Sequence, residues 1–230
     1  MFVLGLAGLA GTGKSTIAQY LASQYGFAPF SFSDALRNEV AAGYGQEDTD
    51  FLTDRRYKEL PIEALALDMC EEQGFIETAR PILAKAYPWT QGEVDTIPLS
   101  PRWIQQVWGT QYRRAQDPDY WVKKAAGLLQ QVREAVVYPE HRPQLFVNDT
   151  IRFPNECEWV HGFEDSNVWH IHRDGAAPVS AHESENPLPV LDGERELWNN
   201  DSIQRLHYGV DLLMTTSARF VRVEPEEKTI

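Results

Sequence analysis

Gly8-Leu9-Ala10-Gly11-Thr12-Gly13-Lys14-Ser15 follows directly on the apolar run Phe2-Val3-Leu4-Gly5-Leu6-Ala7. A glycine, four unconstrained positions and Gly-Lys-Ser make up the phosphate-loop pattern. Its surroundings are the ones the pattern needs. A short buried strand precedes it, and Ile17, Ala18, Leu21, Ala22 and Tyr25 recur afterwards at helical spacing. The glycines let the backbone curl until its N–H groups converge on one anion, and the helix N-terminus adds its dipole. Gly8, Gly11, Thr12, Gly13, Lys14, Ser15 and Thr16 are therefore the expected ATP-binding residues. Lys14 is expected to reach the β- and γ-phosphates, and the Ser15 hydroxyl to ligate Mg²⁺.

The chain has 230 residues, 43% of them hydrophobic, and a net charge of −13. That length suffices for one α/β domain with an appended insert. The acidic balance argues against a nucleic-acid partner, which needs a basic footprint. An acidic protein still binds a mononucleotide where a few arginines converge. Cys70 and Cys157 read as two reduced thiols, each within a predicted helix, with no metal-ligand spacing. The N-terminal apolar run lacks preceding basic residues and leads into the glycine loop, so it does not read as a signal peptide. No stretch has the length of a membrane span. The expectation is a soluble cytoplasmic protein, monomer or homodimer.

Outward from the loop, the pattern predicts a strand and helix over Phe2–Tyr25, a strand over Pro29–Phe32 and a helix over Ala35–Ala42 capped by Ser33-Asp34. Residues 43–53 and 87–100 read as loops, and Leu60–Gln73 as a helix. Helices are predicted to open at Ser100-Pro101 and Asp117-Pro118. Gln144–Asn148 reads as a strand, Pro154–Val160 as a helix, Val168–His172 as a strand and residues 176–193 as a mobile segment. Glu196–Trp198 reads as the last core strand, Ser202–Met214 as the last helix, and the tail from Pro225 as frayed. The expected fold is α/β, a parallel sheet covered by helices on both faces, with its ligand at the carboxyl ends of the strands. The division within this single domain is a core of about 1–45 and 140–230, a helical acceptor-binding insert of about 46–139, and a lid of about 173–193.

Two further segments carry charge to the strand ends. Ser33, Asp34 and Arg37 stand near the first turn of a helix. Arg37 is placed to clamp an acceptor phosphate and Asp34 to hold a sugar hydroxyl or a Mg²⁺-bound water. The alternative for that pair is an N-cap aspartate beside a solvated arginine. Asp149 to Glu156 follows an apolar strand, where a carboxylate can hold the Mg²⁺ shell and Arg152 can touch a phosphate or base. Strand-to-helix turn chemistry around Pro154 and Asn155 is the alternative there. Trp108, Tyr112 and Trp121 are aromatic surfaces for a base or core residues. Trp108 fits the core better, and Trp121 suits either role. The histidines, His170, His172 and His182 among them, read as structural or solvated.

These segments resemble the deoxynucleoside monophosphate kinases of tailed phages, a P-loop family related to adenylate-type kinases and to phosphomevalonate kinase. Phe32-Ser33-Asp34-Ala35-Leu36-Arg37 is similar to the family's Phe-Ala-Asp-Pro-Leu-Lys. Gly109-Thr110-Gln111-Tyr112-Arg113-Arg114 with Asp119-Tyr120-Trp121-Val122 is similar to its Gly-Thr-Glu…Arg…Trp-Val stretch. Arg152-Phe153-Pro154-Asn155-Glu156 matches its Arg-Phe-Pro-Asn-Glu string. Arg173 with His182-Glu183-Ser184-Glu185 resembles its arginine and lid, and Asn199-Asn200-Asp201 its Asn-Asp before the last helix. The resemblance implies ATP- and Mg²⁺-dependent phosphoryl transfer to deoxynucleoside 5′-monophosphates, in a host cytoplasm. It implies Lys14, Arg37, Arg152 and Arg173 as catalytic cations and Ser15 and Asp149 at the metal. It also implies Ser33, Asp34, Arg37, Arg113, Trp121, Arg152, Glu156 and Glu185 around the acceptor.

Three departures stand out. Thr150 occupies the place of the family's aspartate, and Asp149 lies one residue earlier. A one-residue shift turns a strand side chain to the other face, so Asp149 reaches a metal only if the strand ends or bulges there. Gln111 replaces a glutamate, and residues 87–100 have no counterpart. Other readings are a P-loop kinase for a different phosphorylated acceptor, of dephospho-coenzyme A or phosphomevalonate type, and a nucleotide-binding protein without turnover.

Overall fold

A computed structural model describes residues 1–47, 49–54, 56–135, 144–216 and 220–222, with backbone alone for the last three. The chain divides into two compact units, residues 1–32 with 126–230, and residues 33–125.

The first unit is built on six parallel strands, β1 (Phe2–Ala7), β2 (Ala28–Phe30), β3 (Leu145–Ile151), β4 (Asn167–His172), β5 (Arg195–Trp198) and β6 (Phe220–Arg222), in the order β2-β3-β1-β4-β5-β6. β1 is central and buried on both faces, which its unbroken apolar run requires. One sheet face carries helices α1 (Lys14–Tyr25) and α8 (Ile203–Thr215). Ile17, Leu21, Leu206, Val210 and Leu213 pack there with Leu4, Leu6, Trp169 and Leu197. Each such side chain contributes about 1.5–3 kcal/mol by burial. Helix α7 (Pro154–His161) covers the other face, where Phe30, Phe32, Phe146 and Trp159 meet edge to face.

Beyond the expected five strands, β6 extends the sheet past β5, so Glu196–Trp198 is not the last strand. The charged tail from Pro225 lies outside the described residues. β3 runs three residues beyond its predicted end. Its register with β1 passes from Gly5–Asn148 to Ala7–Ile151, two steps on β1 against three on β3. That extra residue is a bulge at Asp149-Thr150.

Among its described residues, the second unit is helical apart from one isolated bridge, Ile62–Leu99. Helix α2 (Phe32–Gly43) enters it, followed by α3 (Asp50–Thr53), α4 (Gln73–Ala86) and α5 (Pro101–Gln106). The π-helical stretch Val107–Arg114 and the start of α6 (Tyr120–Glu134) complete it. Phe75, Trp108 and Tyr112 form its aromatic centre, with Phe75 and Trp108 centroids 4.4 Å apart. The helix expected over Leu60–Gln73 is instead two 3-10 turns, Glu63–Leu65 and Leu67–Met69, broken by extended Ala66. Cys70 therefore ends a turn rather than lying inside a helix. α2 begins at Phe32, which places Ser33 and Asp34 inside its first turn rather than ahead of it.

Candidate functional site

The phosphate loop joins β1 to α1. Gly8, Gly11 and Gly13 have φ of 140°, 77° and 103°, left-handed values that side chains resist. A Cβ on Gly8 would lie 2.4 Å from the Ile171 carbonyl oxygen, so the turn also needs the missing side chain for space. Thr12 is buried, its hydroxyl donating to the Leu9 carbonyl at 3.0 Å. Lys14 folds back over the loop, and its Nζ donates to the carbonyls of Gly8 and Leu9, each at 2.8 Å. Burial, then the charge of Arg152, lowers its pKa to about 7, against the opposing pull of Asp149 and Glu185.

Ser15, exposed at the head of α1, donates its hydroxyl to Asp149 Oδ2 at 2.6 Å. Asp149 lies two residues beyond Val147, which packs against α1, so it shares that face of the strand while Thr150 serves other neighbours. Thr150 Oγ1 donates to Asn148 Oδ1 at 2.9 Å, accepts from the Phe32 N–H at 3.0 Å and meets Ser31 Oγ at 3.0 Å. The residue standing where the family has its aspartate thus secures the start of α2, while the aspartate one place earlier meets the loop serine. Thr16 follows in the first turn of α1.

Two arginines sit at the ends of the strands that flank β1. Arg152 follows β3 and lies 3.7 Å from Glu185 Oε2, a carboxylate 3% exposed on the 3-10 turn Glu183–Glu185. Arg173 follows β4, is exposed, and its Nη1 donates to the Gly11 carbonyl at 3.4 Å. Glu156, expected at the acceptor, is committed elsewhere. Its Oε2 accepts the N–H groups of Arg152 at 2.6 Å and Phe153 at 3.1 Å, capping α7. That cap fixes the backbone carrying Arg152.

In the second unit, Arg37 pairs with Asp34 one turn earlier on α2, Nη2 to Oδ1, with the arginine the more covered partner. Both side chains retain exposure. Arg113 and Trp121 depart from the expected acceptor contacts. The Arg113 Nε donates to Glu39, and its guanidinium lies 4.2 Å over the Tyr112 ring and 5.2 Å from that of Tyr120. Glu39 also accepts from Trp108 Nε1 at 3.1 Å and the Tyr120 hydroxyl at 2.7 Å, so Arg113 neutralises a structural carboxylate. Trp121 is 3% exposed with its indole N–H on the Gly109 carbonyl at 2.9 Å, which makes it a core side chain. Trp108 is wholly buried.

The motif reading overlooked Glu194, which is fully buried ahead of β5. It accepts from His161 at 2.8 Å, His170 at 2.7 Å and the Leu191 N–H at 2.7 Å. Burial opposes its charge, but the bonds from His170, Leu191 and His161 outweigh it and hold its pKa down at about 2. The alternation His170-x-His172 across Glu194-x-Glu196 is the signal that points to it. Asn199 was legible only as a resemblance; its side chain donates to the Thr12 carbonyl at 2.9 Å.

Ser15 and Asp149 supply two oxygen donors of the hard type Mg²⁺ prefers, and a magnesium site of this kind takes its other ligands from phosphates and water. The donor set fits that ion. No helix among the described residues is long and apolar enough to cross a membrane.

Residues 7–107 match a family model described as AAA domain, a span of under half the chain. No curated protein matches. Among solved structures, an unliganded sugar kinase from Janibacter sp. HTCC2649 is similar at 11% identity and a TM-score of 0.45, over 96% of this chain and 99% of that one. TT1252 from Thermus thermophilus is similar at 16% identity and a TM-score of 0.34, over 75% of this chain and 65% of that one. At those identities and scores neither bears on substrate or mechanism. The glycine loop between β1 and α1, the Ser15–Asp149 contact and the parallel sheet with helices on both faces together make this a P-loop nucleotide-binding fold.

Proposed function

We propose that the protein is a phosphotransferase that uses ATP and Mg²⁺ to convert deoxynucleoside 5′-monophosphates to diphosphates. The observation that carries the reading is the Ser15–Asp149 contact at 2.6 Å beside the phosphate loop, two oxygen groups of the kind that would suit Mg²⁺. The identity of the acceptor rests on the motif resemblance, from the Phe-Ser-Asp segment to Arg152-Phe153-Pro154-Asn155-Glu156.

Transfer between phosphates asks for positioning and charge neutralisation more than covalent chemistry. The loop N–H groups bind the donor's phosphates. Lys14 exchanges its two loop carbonyls for phosphate oxygens and keeps its proton at Nζ. Ser15 and Asp149 would hold Mg²⁺, which supplies charge neutralisation on the transferring group. Arg152, aimed by the Glu156 cap and held by Glu185, and Arg173 bring positive charge to the ends of β3 and β4. Arg37 and Asp34 bind the acceptor's phosphate and sugar, with Ser33 beside them. Arg113 and Trp121 contribute by shaping the second unit rather than by touching substrate.

A coupled ADP-release assay with Mg-ATP and each of dAMP, dCMP, dGMP, dTMP and 5-hydroxymethyl-dCMP tests the proposal. Turnover stimulated by at least one supports it. Stimulation only by a phosphorylated non-nucleotide would refute the acceptor class, and no stimulation by any acceptor would refute the enzyme.

A further inference from the structure

The turn that follows β5 is bonded to two parts of the site at once. Asn199 Nδ2 donates to the Thr12 carbonyl at 2.9 Å, and the Asn199 backbone N–H donates to the His172 carbonyl at 2.8 Å. Asn200 Oδ1 accepts the N–H of Asp174 at 2.8 Å, immediately after Arg173, which itself reaches the Gly11 carbonyl. The Asn199 amide is so close to the loop that a Cβ on Gly13 would lie 2.5 Å from its Nδ2.

A trans peptide holds its C=O and the following N–H in one plane and on opposite sides. Fixing the Thr12 carbonyl on Asn199 therefore turns the Gly13 N–H the other way, to the side opposite Asn199. We infer that Asn199 and Asn200 are positioning residues for phosphoryl transfer, Asn199 setting the orientation of the Thr12–Gly13 peptide and Asn200 anchoring the backbone that aims Arg173. The functional half of this inference rests on the kinase reading above; the structural half does not.

The two side chains act with opposite polarity, and this separates their roles from simple packing. Asn199 must donate, so Asn199→Asp places an anion against a carbonyl oxygen at nearly constant volume. Asn200 must accept, so Asn200→Asp preserves the contact and Asn200→Ala removes it. The experiment compares wild type, Asn199→Asp, Asn200→Asp and Asn200→Ala. It reads Mg-ADP affinity by calorimetry, kcat and KM with the best monophosphate, and hydrogen exchange over residues 8–15 and 173–175.

Asn199→Asp is expected to weaken Mg-ADP binding roughly tenfold and to speed exchange over residues 8–15. Asn200→Ala is expected to keep Mg-ADP affinity within about twofold, lower kcat roughly tenfold and speed exchange at Asp174. Asn200→Asp is expected to behave as wild type in exchange. Equal exchange and affinity for Asn199→Asp and wild type would overturn the role of Asn199. Identical behaviour of Asn200→Asp and Asn200→Ala would overturn that of Asn200. If the wild type binds no Mg-ADP, the kinase reading falls, and exchange alone decides whether the two asparagines hold the loop.

Discussion

Lys14 spends its charge on its own loop, bonding the Gly8 and Leu9 carbonyls while its pKa sits at about 7. Bound phosphates would replace those carbonyls with anions and raise that pKa. Between the lower value of the free protein and the higher one of the complex, binding takes up a proton. Above pH 7, affinity should fall with rising pH, by as much as about tenfold per pH unit from this residue. Calorimetry of Mg-ADP binding at pH 8, in two buffers of different ionisation enthalpy, should show uptake approaching one proton. Lys14→Ala should abolish it and reduce turnover by about 10²-fold or more, with the fold retained. A wild type with no buffer dependence would contradict the assignment. At this scale the loop was legible because its glycines, lysine and serine lie within eight residues. The partner of Asn199 was not, because its contact with Thr12 spans 187 positions.

Among elements, β3 shows what alternation alone misses. Alternation from Val147, which packs against α1, already carries Asp149 to the Ser15 side, and it is Ile151 that the bulge turns to the opposite face, beside Val160 of α7. Asp149→Asn is expected to raise the Mg²⁺ concentration for half-maximal rate at least about tenfold, with little change in melting temperature. A metal titration of the variant checks this, and an unchanged Mg²⁺ requirement would remove Asp149 from the metal. β5 carries a different burden through Glu194. Its pKa is depressed to about 2, so its ionised form stabilises the fold above the ordinary carboxylate value, and that contribution is lost as pH falls toward 2. Glu194→Gln should cost about 1–3 kcal/mol in urea unfolding at neutral pH and flatten the acid limb of the stability profile. The helical reading of Leu60–Gln73 failed for a related reason. Its backbone is claimed by the 87–100 region, through the Ile62–Leu99 bridge and the Asp68 N–H on the Asp95 carbonyl. The helix that does form, α4, contains Gly74 and Pro81, residues that argue against a helix when read locally.

In the whole molecule, the loop and metal groups fall in one unit, while the groups expected at the acceptor are divided between the two, with Arg152, Glu156 and Glu185 in the first. Lys14, Ser15, Asp149, Arg152 and Arg173 belong to the first unit, and Asp34 and Arg37 to the second. Arg37→Ala is therefore expected to raise the KM of the monophosphate about tenfold or more while the KM of ATP stays within about twofold. Steady-state kinetics with each substrate varied in turn measures the split, and a larger effect on ATP would show that the acceptor is misplaced. The α/β class and parallel sheet were readable from alternating strands and helices. The division at residues 32 and 125 was not, because α2 and α6 run through it without a break in periodicity.

The strand order has a consequence for how the chain is made. Among the described residues, β1 is bonded only to β3 and β4, and β2 only to β3. During synthesis from the N-terminus, no ladder of this sheet can close until the polypeptide has passed Leu145. The glycine-rich turn that opens the sequence thus waits, without its flanking strand paired, while the entire second unit is translated. Early local order then falls to the helices of residues 33–125, and the phosphate loop is among the later parts to take shape.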